Sequence, residues 1–235
     1  MKIITIASTK GGVGKSTSTV NIARRLWKNG KKVGIIDGDL TSPSIFKIFN
    51  APLTKIKVGK DVVYPVEYNG IKMFSTSLLS GSEDVPIMFK GEKKRSAMKQ
   101  MFSKIYWGEL DYLLIDLAPG ASDEMIEVLE CFKDKIEGMV IVTTPSRLSV
   151  NSVSKLVSLC ERKKIKIMGM IANMSVFLCP HCNRTTFMFG QGNAVYDLIY
   201  KHGIKWLCSP PLDLNVEDKP FSIIDTFSWV DELLG

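Results

Sequence analysis

The 235-residue sequence contains no apolar stretch close to the roughly 20 residues that a membrane-spanning helix requires, so no transmembrane segment is predicted. The first residues, MKIITIAST, lead into a glycine-rich loop rather than into a small-residue cleavage site. They therefore predict a buried first strand and not a signal peptide. Because the sequence also shows no linker and no internal repeat, we expect one domain over residues 1–235.

Cysteine is scarce, and five residues in a chain of this length do not form a disulfide framework. This usage is typical of the reducing cytosol, so we expect a cytoplasmic protein. With 45% hydrophobic and 23% charged residues, the chain can bury a substantial core and is not disordered. The formal charge of +7 permits an acidic partner, but the basic runs are not interleaved with aromatic residues, and nucleic acid is not expected.

Short apolar runs alternate with helical patterns along the chain. Five runs rich in Ile and Val are typical of strands buried on both faces of a parallel sheet: KIITIAS, KVGIID, YLLIDL, GMVIVTT and KIMGMIANM. Helical spacing is found over residues 16–28, 96–106, 123–131, 150–163 and 193–201. Asn69-Gly70 between two β-like pieces predicts a hairpin or an edge excursion. Together these patterns predict an α/β fold with a doubly wound, mostly parallel sheet and helices on both faces.

The segment STKGGVGKST lies directly after the first predicted strand and directly before the first predicted helix. Glycines there let successive backbone N–H groups point at phosphate oxygens, and the following helix presents its positive end to the same anion. Lys15 is placed to reach the β- and γ-phosphates, and the Ser16 hydroxyl to bind Mg²⁺. We therefore predict a P-loop for Mg·ATP formed by Lys10, Gly11, Gly12, Val13, Gly14, Lys15, Ser16 and Thr17.

A lysine at the start of the loop, in the pattern KGGVGKST, resembles the deviant Walker A class of ATPases. In that class this lysine reaches across a dimer interface to the partner's nucleotide. The resemblance implies a face-to-face homodimer and gives Lys10 a catalytic role beside Lys15. The alternative is a lone exposed lysine near the phosphates.

Acidic residues follow two of the predicted strands, at the edge of the sheet where open α/β folds bind ligands. In KVGIIDGDL, Asp37 and Asp39 lie at the carboxyl end of a strand, and Asp116 ends the strand YLLID in the manner of a Walker B carboxylate. We expect Asp37 and Asp116, with Ser16, to surround the Mg²⁺. By resemblance to the deviant Walker A class, Asp39 positions the attacking water. The alternative for each acid is a cap on a strand-to-helix turn.

The base site is predicted by the same class resemblance. Asn173 follows the strand KIMGMIA, where this class holds adenine through a side-chain amide, and residues 211–213 match the segment that closes over the base.

Cys179 and Cys182 form a CxxC motif, CPHC, whose two thiolates can bind a soft metal from one side. A tetrahedral site needs four ligands. The other cysteines, Cys131, Cys160 and Cys208, have no partner at ligand spacing and are predicted to be core residues. Two chains that each give two thiolates would complete an iron–sulfur cluster or a zinc site. A thioredoxin-like redox pair and a zinc-ribbon remnant are the alternatives.

These motifs together resemble the Mrp/ApbC group of iron–sulfur cluster carrier ATPases, relatives of MinD and ParA. The similarity runs through KGGVGKST, DGDLTSPS, FKGEKK, WGELDYLLIDLAPGASDE, VTTPS and IANMSVFLCPHCNRTTFMFG. It implies a homodimer that bridges one labile [4Fe–4S] cluster with Cys179 and Cys182 of both chains. It also implies slow ATP hydrolysis coupled to cluster handover to apo-proteins.

Several positions depart from the family pattern. Thr9 replaces a glycine, and DLAPGASD stands for the usual DLPPGTGD, with Ala118, Ala121 and Ser122 substituted. We expect these changes to affect the hydrolysis rate and the coupling of the switch more than nucleotide binding.

Two other functions compete with cluster transfer. One is a MinD- or ParA-like positioning or partition ATPase. The C-terminal FSIIDTFSWVDELLG has helical apolar spacing but acidic polar positions, so we expect a packed terminal helix and no membrane partner. The other is a zinc-stabilised nucleotide switch.

Overall fold

The computed structural model describes residues 1–39, 42–52, 57–59, 62–75, 78, 100–189, 193–213 and 223–234. The strands in this part are β1 (Lys2–Ala7), β2 (Val33–Gly38), β3 (Lys57–Val58), β4 (Val63–Tyr64), β5 (Val66–Tyr68), β6 (Ile71–Ser75), β7 (Tyr112–Leu117), β8 (Ile136–Thr143), β9 (Ile167–Ala172), β10 (Phe177–Leu178), β11 (Thr185–Thr186) and β12 (Trp206–Cys208). The helices are α1 (Lys15–Lys28), α2 (Ile45–Ile48), α3 (Asp123–Phe132), α4 (Arg147–Lys163) and α5 (Asn193–His202), with 3₁₀ segments at Lys133–Lys135 and Ile224–Leu234.

Eight strands form one sheet in the order β12-β9-β8-β1-β7-β2-β6-β5. Every pairing in it is parallel except that of β5 with β6, which are joined by a tight turn. Asn69 and Gly70 form this turn with φ angles of 49° and 76°, as a type I′ hairpin requires. The predicted hairpin and the predicted parallel sheet are both confirmed.

Successive residues of the central strands face opposite sides of the sheet, and both sides are buried. Ile3 belongs to an apolar cluster that includes residues of α3, α4 and α5, whereas Ile4 belongs to a second cluster with residues of α1, α2 and the C-terminal 3₁₀ segment. This double burial explains why the strands are continuously apolar in sequence. It also confirms the doubly wound α/β fold class.

Three predicted helices differ from the structure. Residues 96–99 lie outside the described part, and the helical backbone that follows ends at Ser103, because Ile105 pairs with Val63 in a β-bridge. The helix predicted from residue 150 begins at Arg147, since the Ser146 hydroxyl accepts the Ser149 N–H at 3.2 Å and caps it earlier. The predicted terminal helix is a 3₁₀ segment that packs on α1. The FKGEKK motif lies outside the described residues.

Candidate functional site

Three neighbouring strands bring the predicted nucleotide residues to one edge of the sheet. β7 lies between β1 and β2, with Asp116 beside Ile6 of β1 and Asp37 of β2. The loop that follows β1 therefore lies next to both carboxylates. This is the carboxyl edge of the parallel strands, where α/β folds bind their ligands.

The phosphate loop has the backbone that its glycines predict. Gly12 and Gly14 adopt φ angles of 75° and 84°, in the left-handed region, and α1 begins directly afterwards at Lys15. A Cβ on Gly14 would lie 2.0 Å from Asn173 Nδ2, so the loop also requires the absence of a side chain there. The free N–H groups at the start of α1 thus face the predicted phosphate position.

Asp116 is the centre of a buried polar cluster at the start of α1. Its Oδ2 accepts the Ser16 hydroxyl at 2.5 Å and lies 2.8 Å from the Lys15 ammonium. Its Oδ1 accepts the Thr19 hydroxyl at 2.8 Å. Asp116 is fully buried, and the lysine charge with the two hydroxyl donors compensates the buried carboxylate. Lys15, Ser16 and Asp116, predicted separately from the sequence, therefore form one constellation.

Asp37 binds the backbone of the segment that follows β2. One of its oxygens accepts the N–H groups of Ser44 and Ile45 at 2.8 and 3.0 Å, and the other accepts the Asp39 N–H at 3.2 Å. Burial and repulsion from Asp116 raise the pKa of the Asp37 carboxyl, against the lowering effect of the N–H groups of Ile45 and Ser44 and of the Lys15 charge. Asp37 thus caps the start of α2, and its predicted Mg²⁺ role stays a prediction.

A cavity of about 610 Å³ opens beside this cluster, a volume within the range of small-molecule sites. Its wall combines the phosphate loop, the segment after β2 and the segment after β7: Ser8, Lys10, Gly11, Gly12, Gly14, Lys15, Ser16, Thr17, Asp39, Ser42, Ser44, Ile48, Ala118, Pro119, Ser122 and Glu124. Lys10 and Asp39 both line the cavity. Their predicted roles, reaching the partner's nucleotide for Lys10 and positioning the attacking water for Asp39, stay predictions. Asp39 Oδ1 also accepts the Ser42 N–H at 2.9 Å.

Asn173 lies behind the phosphate loop. Its side chain is 4% exposed, and its Nδ2 donates to the Val13 carbonyl at 2.9 Å. Its backbone N–H donates to the Thr143 carbonyl at 2.8 Å. The residue therefore touches the loop directly, and its contact with a base stays a prediction.

The CxxC motif lies on a short hairpin of β10 and β11 at the surface. The Cys179 N–H donates to the Arg184 carbonyl at 3.0 Å, and the Asn183 N–H donates to the Cys179 carbonyl at 2.8 Å. The backbone N–H groups of His181 and Cys182, and then the Cys182 thiol, donate to Cys179 Sγ and hold the pKa of that thiol below its ordinary value. Because the thiolate is the form that binds metal, this turn favours metal binding.

The remaining cysteines differ from this pair. Burial raises the pKa of the Cys160 thiol to about 11 and that of Cys208 to about 12, so both are protonated at neutral pH. Cys160 is buried in the core, as predicted, while Cys131 and Cys208 are half-buried. Within the described residues no group of three or more His, Cys, Asp or Glu side chains is placed to hold a metal ion.

Sequence reasoning missed two features of these sites. Thr19 binds Asp116 from one turn beyond Lys15, and the KSTST spacing in α1 was the available signal. Four large apolar side chains beside the CxxC motif are 42–54% exposed, and we call them the hairpin patch: Leu178, Phe187, Met188 and Phe189. Three of them lie in TTFMFG, and their apolar character alone does not indicate that they are exposed.

A sequence model of the NUBPL iron-transfer P-loop NTPases matches residues 1–222. The chain belongs to this family. The iron–sulfur cluster carrier protein of Methanocaldococcus jannaschii is 41% identical over 219 residues, covering 92% of this chain and 74% of that protein. The cytosolic Fe–S cluster assembly factor CFD1 of Saccharomyces cerevisiae is 39% identical over 217 residues, covering 90% and 74%. The resemblance to iron–sulfur cluster carriers is therefore confirmed.

A solved structure of the same fold comes from Archaeoglobus fulgidus, a nucleotide-binding protein in complex with ADP and with cobalt. It is 35% identical, with a TM-score of 0.79, and the match covers 97% of this chain and 88% of that one. In the described part of this NUBPL-family chain, no helix is both long and apolar enough to span a bilayer.

Proposed function

We propose that this protein is a cytoplasmic ATPase that holds a labile [4Fe–4S] cluster between two copies of the chain and transfers it to apo-proteins. The observation that carries the proposal is the Cys179–Cys182 turn, in which a half-buried and an exposed thiol lie together and backbone N–H groups favour the thiolate of Cys179. The family supports it, since relatives that share about two-fifths of the sequence are named carriers and cytosolic assembly factors of iron–sulfur clusters.

Ligand number argues for a site shared between two chains. A [4Fe–4S] cluster takes four thiolates, and each chain offers two at this turn. The hairpin patch surrounds the turn with exposed apolar area, which is typical of a surface that a protein partner covers. A second copy that packs on this patch brings the missing two thiolates to the same place. The cluster is the cargo of the reaction.

The nucleotide site fits Mg·ATP. Ser16 and Asp116 present a hydroxyl and a carboxylate 2.5 Å apart, the oxygen ligands that Mg²⁺ prefers, and Asp37 lies on the adjacent strand. Mg²⁺ held by these residues would neutralise phosphate charge. The Lys15 ammonium, now 2.8 Å from Asp116, turns towards the β- and γ-phosphates when they enter the loop.

Hydrolysis places further demands on this chain's residues. Asp39 faces the cavity and orients the water that attacks the γ-phosphate, while Lys10 reaches the nucleotide of the partner chain. Asn173 contacts the base beyond the loop. Phosphoryl transfer needs little more, because it is catalysed mainly by positioning and charge neutralisation. Lys15→Ala should abolish nucleotide binding or turnover, whereas Asp39→Ala should retain binding and lose hydrolysis.

The test of the cargo is anaerobic reconstitution with iron and sulfide. The wild type should gain a visible absorption band and about four irons and four sulfides per dimer, and Cys179→Ala/Cys182→Ala should gain neither. Cys131→Ala serves as the matched control, because that thiol lies in α3 away from the hairpin, and it should reconstitute as the wild type does. Zinc alone, or no metal with intact ATPase activity, would leave a nucleotide switch in place of a carrier.

A further inference from the structure

The phosphate loop and the cysteine turn are joined by a short stretch of chain, residues 173–178, which we call the linking segment. It starts at Asn173, in contact with the loop, and ends directly before Cys179. Six residues span at most about 20 Å when fully extended, so the two sites are near in space as well as in sequence.

The loop end of the linking segment is tightly packed. Asn173 donates to the Val13 carbonyl at 2.9 Å, and a Cβ on Gly14 would lie 2.0 Å from its Nδ2 and 3.7 Å from Met174 Cε. Asn173 is therefore in direct contact with the loop backbone, and Met174 follows it in the chain. A change in the backbone at Val13 and Gly14 would displace Asn173, because packed groups in a protein interior leave little free space.

Met174 has a φ angle of 54°, in the left-handed region that side chains other than glycine rarely adopt. Such a residue persists only when its surroundings fix it on both sides. Asn173 fixes it on one side. On the other, the Ser175 hydroxyl donates to the Ser209 carbonyl at 3.1 Å and the Ser175 N–H donates to the Pro210 carbonyl at 3.2 Å.

The cysteine end is held by the backbone. Leu212 N–H donates to the Val176 carbonyl at 2.7 Å, Phe177 pairs with Leu212 in a parallel bridge, and Cys179 N–H donates to Arg184. From Val13 to Cys179, each residue is connected to the next by a hydrogen bond, a packed contact or the peptide chain.

From these contacts we infer that Asn173, Met174 and Ser175 are positioning residues that make the geometry of the Cys179–Cys182 turn depend on the nucleotide in the phosphate loop. The inference deepens the proposed function and rests on it only in taking the two thiols as the cargo site. Nucleotide binding shifts the loop backbone at Val13, Asn173 follows, and the strained Met174 transmits the shift to the turn. By thermodynamic reciprocity, a metal on the thiols changes nucleotide affinity by the same factor.

The test measures thiol reactivity rather than activity, on the full chain without a cluster. Iodoacetamide alkylation of each cysteine is followed by peptide mass spectrometry, with no nucleotide, with Mg·ADP and with a non-hydrolysable Mg·ATP analogue. In the wild type, saturating nucleotide should change the rates at Cys179 and Cys182 by about fivefold or more, within the usual range of coupling between sites. In Ser175→Ala and Met174→Gly the change should fall to about twofold or less, with nucleotide affinity near the wild-type value.

Ser152→Ala is the matched control. Its hydroxyl also donates to a main-chain carbonyl, that of Leu148 at 3.1 Å, but it lies on α4 outside the linking segment. It should respond to nucleotide as the wild type does. Met174→Gly keeps the test decisive if Ser175→Ala does not fold, because glycine adopts the required φ without strain.

Two results would overturn the inference. One is a wild type whose thiol rates do not respond to saturating nucleotide. The other is a change in thiol rate that survives in both variants. It would assign the change to nucleotide-driven dimerisation, which sedimentation of the same samples monitors. Both are independent of iron and sulfide, so a failure to reconstitute a cluster would count against the proposed function and not against this coupling.

Discussion

Ser16 and Thr19, one turn apart on α1, each donate a hydroxyl to a different oxygen of the Asp116 carboxylate. Lys15 adds its charge from the same helix. At the scale of single residues, the nucleotide site therefore depends on side chains that bind a buried carboxylate as well as on those that face the cavity. Gly14 has a comparable supporting role, since it leaves room for Asn173.

The hydroxyl of Thr19 is expected to contribute more than an ordinary buried hydroxyl. Thr19→Val should lower the free energy of unfolding by about 1.5–3 kcal/mol, because its acceptor is a charged carboxylate. The control is Thr5→Val in β1, whose hydroxyl donates to a neutral carbonyl, that of Gly138 at 3.3 Å, and which should cost about 0.5–1.5 kcal/mol. Urea unfolding measures both, and equal losses would contradict a stronger hydrogen bond from Thr19 to the Asp116 carboxylate.

The two loop glycines Gly14 and Gly11 should differ sharply in their tolerance of a methyl group. Gly14→Ala places a side chain on a left-handed residue and against Asn173, so it should cost at least about 1–3 kcal/mol of stability and abolish nucleotide binding. Gly11→Ala puts its Cβ into open space and should leave the unfolding midpoint unchanged. The same midpoint for both variants would contradict the loop geometry described here.

At the scale of elements, the C-terminal 3₁₀ segment Ile224–Leu234 covers α1. Phe227 and Val230 are fully buried against that helix's side of the sheet. At the surface, Arg25 of α1 binds Asp231 through its Nε and its Nη2, at 2.9 and 2.5 Å. The segment is thus held both by apolar burial and by an ion pair, and the two contributions differ in size.

Burial is expected to dominate over the ion pair in this segment. Phe227→Ala should lower the free energy of unfolding by about 3–5 kcal/mol, the usual loss for a large buried aromatic side chain. Asp231→Ala, the control that breaks the partly exposed pair with Arg25, should cost no more than about 1 kcal/mol. Chemical unfolding of both variants decides between them, and a larger loss for Asp231→Ala would show that the pair orders the segment.

The elements differ in how far the sequence determines them. The central strands are buried on both faces, so their apolar runs predict them directly. The glycine spacing of KGGVGKST likewise predicts a phosphate loop without any tertiary information. Asp37 is different, because its acceptor role towards Ser44 and Ile45 depends on how the chain turns after β2. The 3₁₀ form of the tail and the exposure of the hairpin patch depend likewise on packing against distant parts of the chain.

At the scale of the whole molecule, the proposal requires two chains. In it the cysteine turn would supply two of four cluster ligands, the hairpin patch is uncovered in one chain, and Lys10 faces the cavity from which it would reach a partner's nucleotide. Nucleotide and cluster should therefore both favour the dimer. In this proposal each of them would bind a face that is incomplete in one copy.

Lys10 should be needed for nucleotide-dependent association but not for nucleotide binding. Lys10→Ala should bind a non-hydrolysable ATP analogue and remain monomeric in sedimentation, while the wild type dimerises. Lys155→Ala, an exposed lysine on α4, is the control for loss of one positive charge and should dimerise normally. Dimerisation of Lys10→Ala to the wild-type extent would assign that lysine to its own chain's phosphates.

The measurement that tests the central claim most directly is native mass spectrometry of the anaerobically reconstituted wild-type protein. The account predicts a dimer carrying a mass increment of one [4Fe–4S] cluster, with apo-protein present as monomer or empty dimer. A monomer that carries a complete cluster, or a dimer that carries only zinc, would contradict a cluster bridged by Cys179 and Cys182 of two chains.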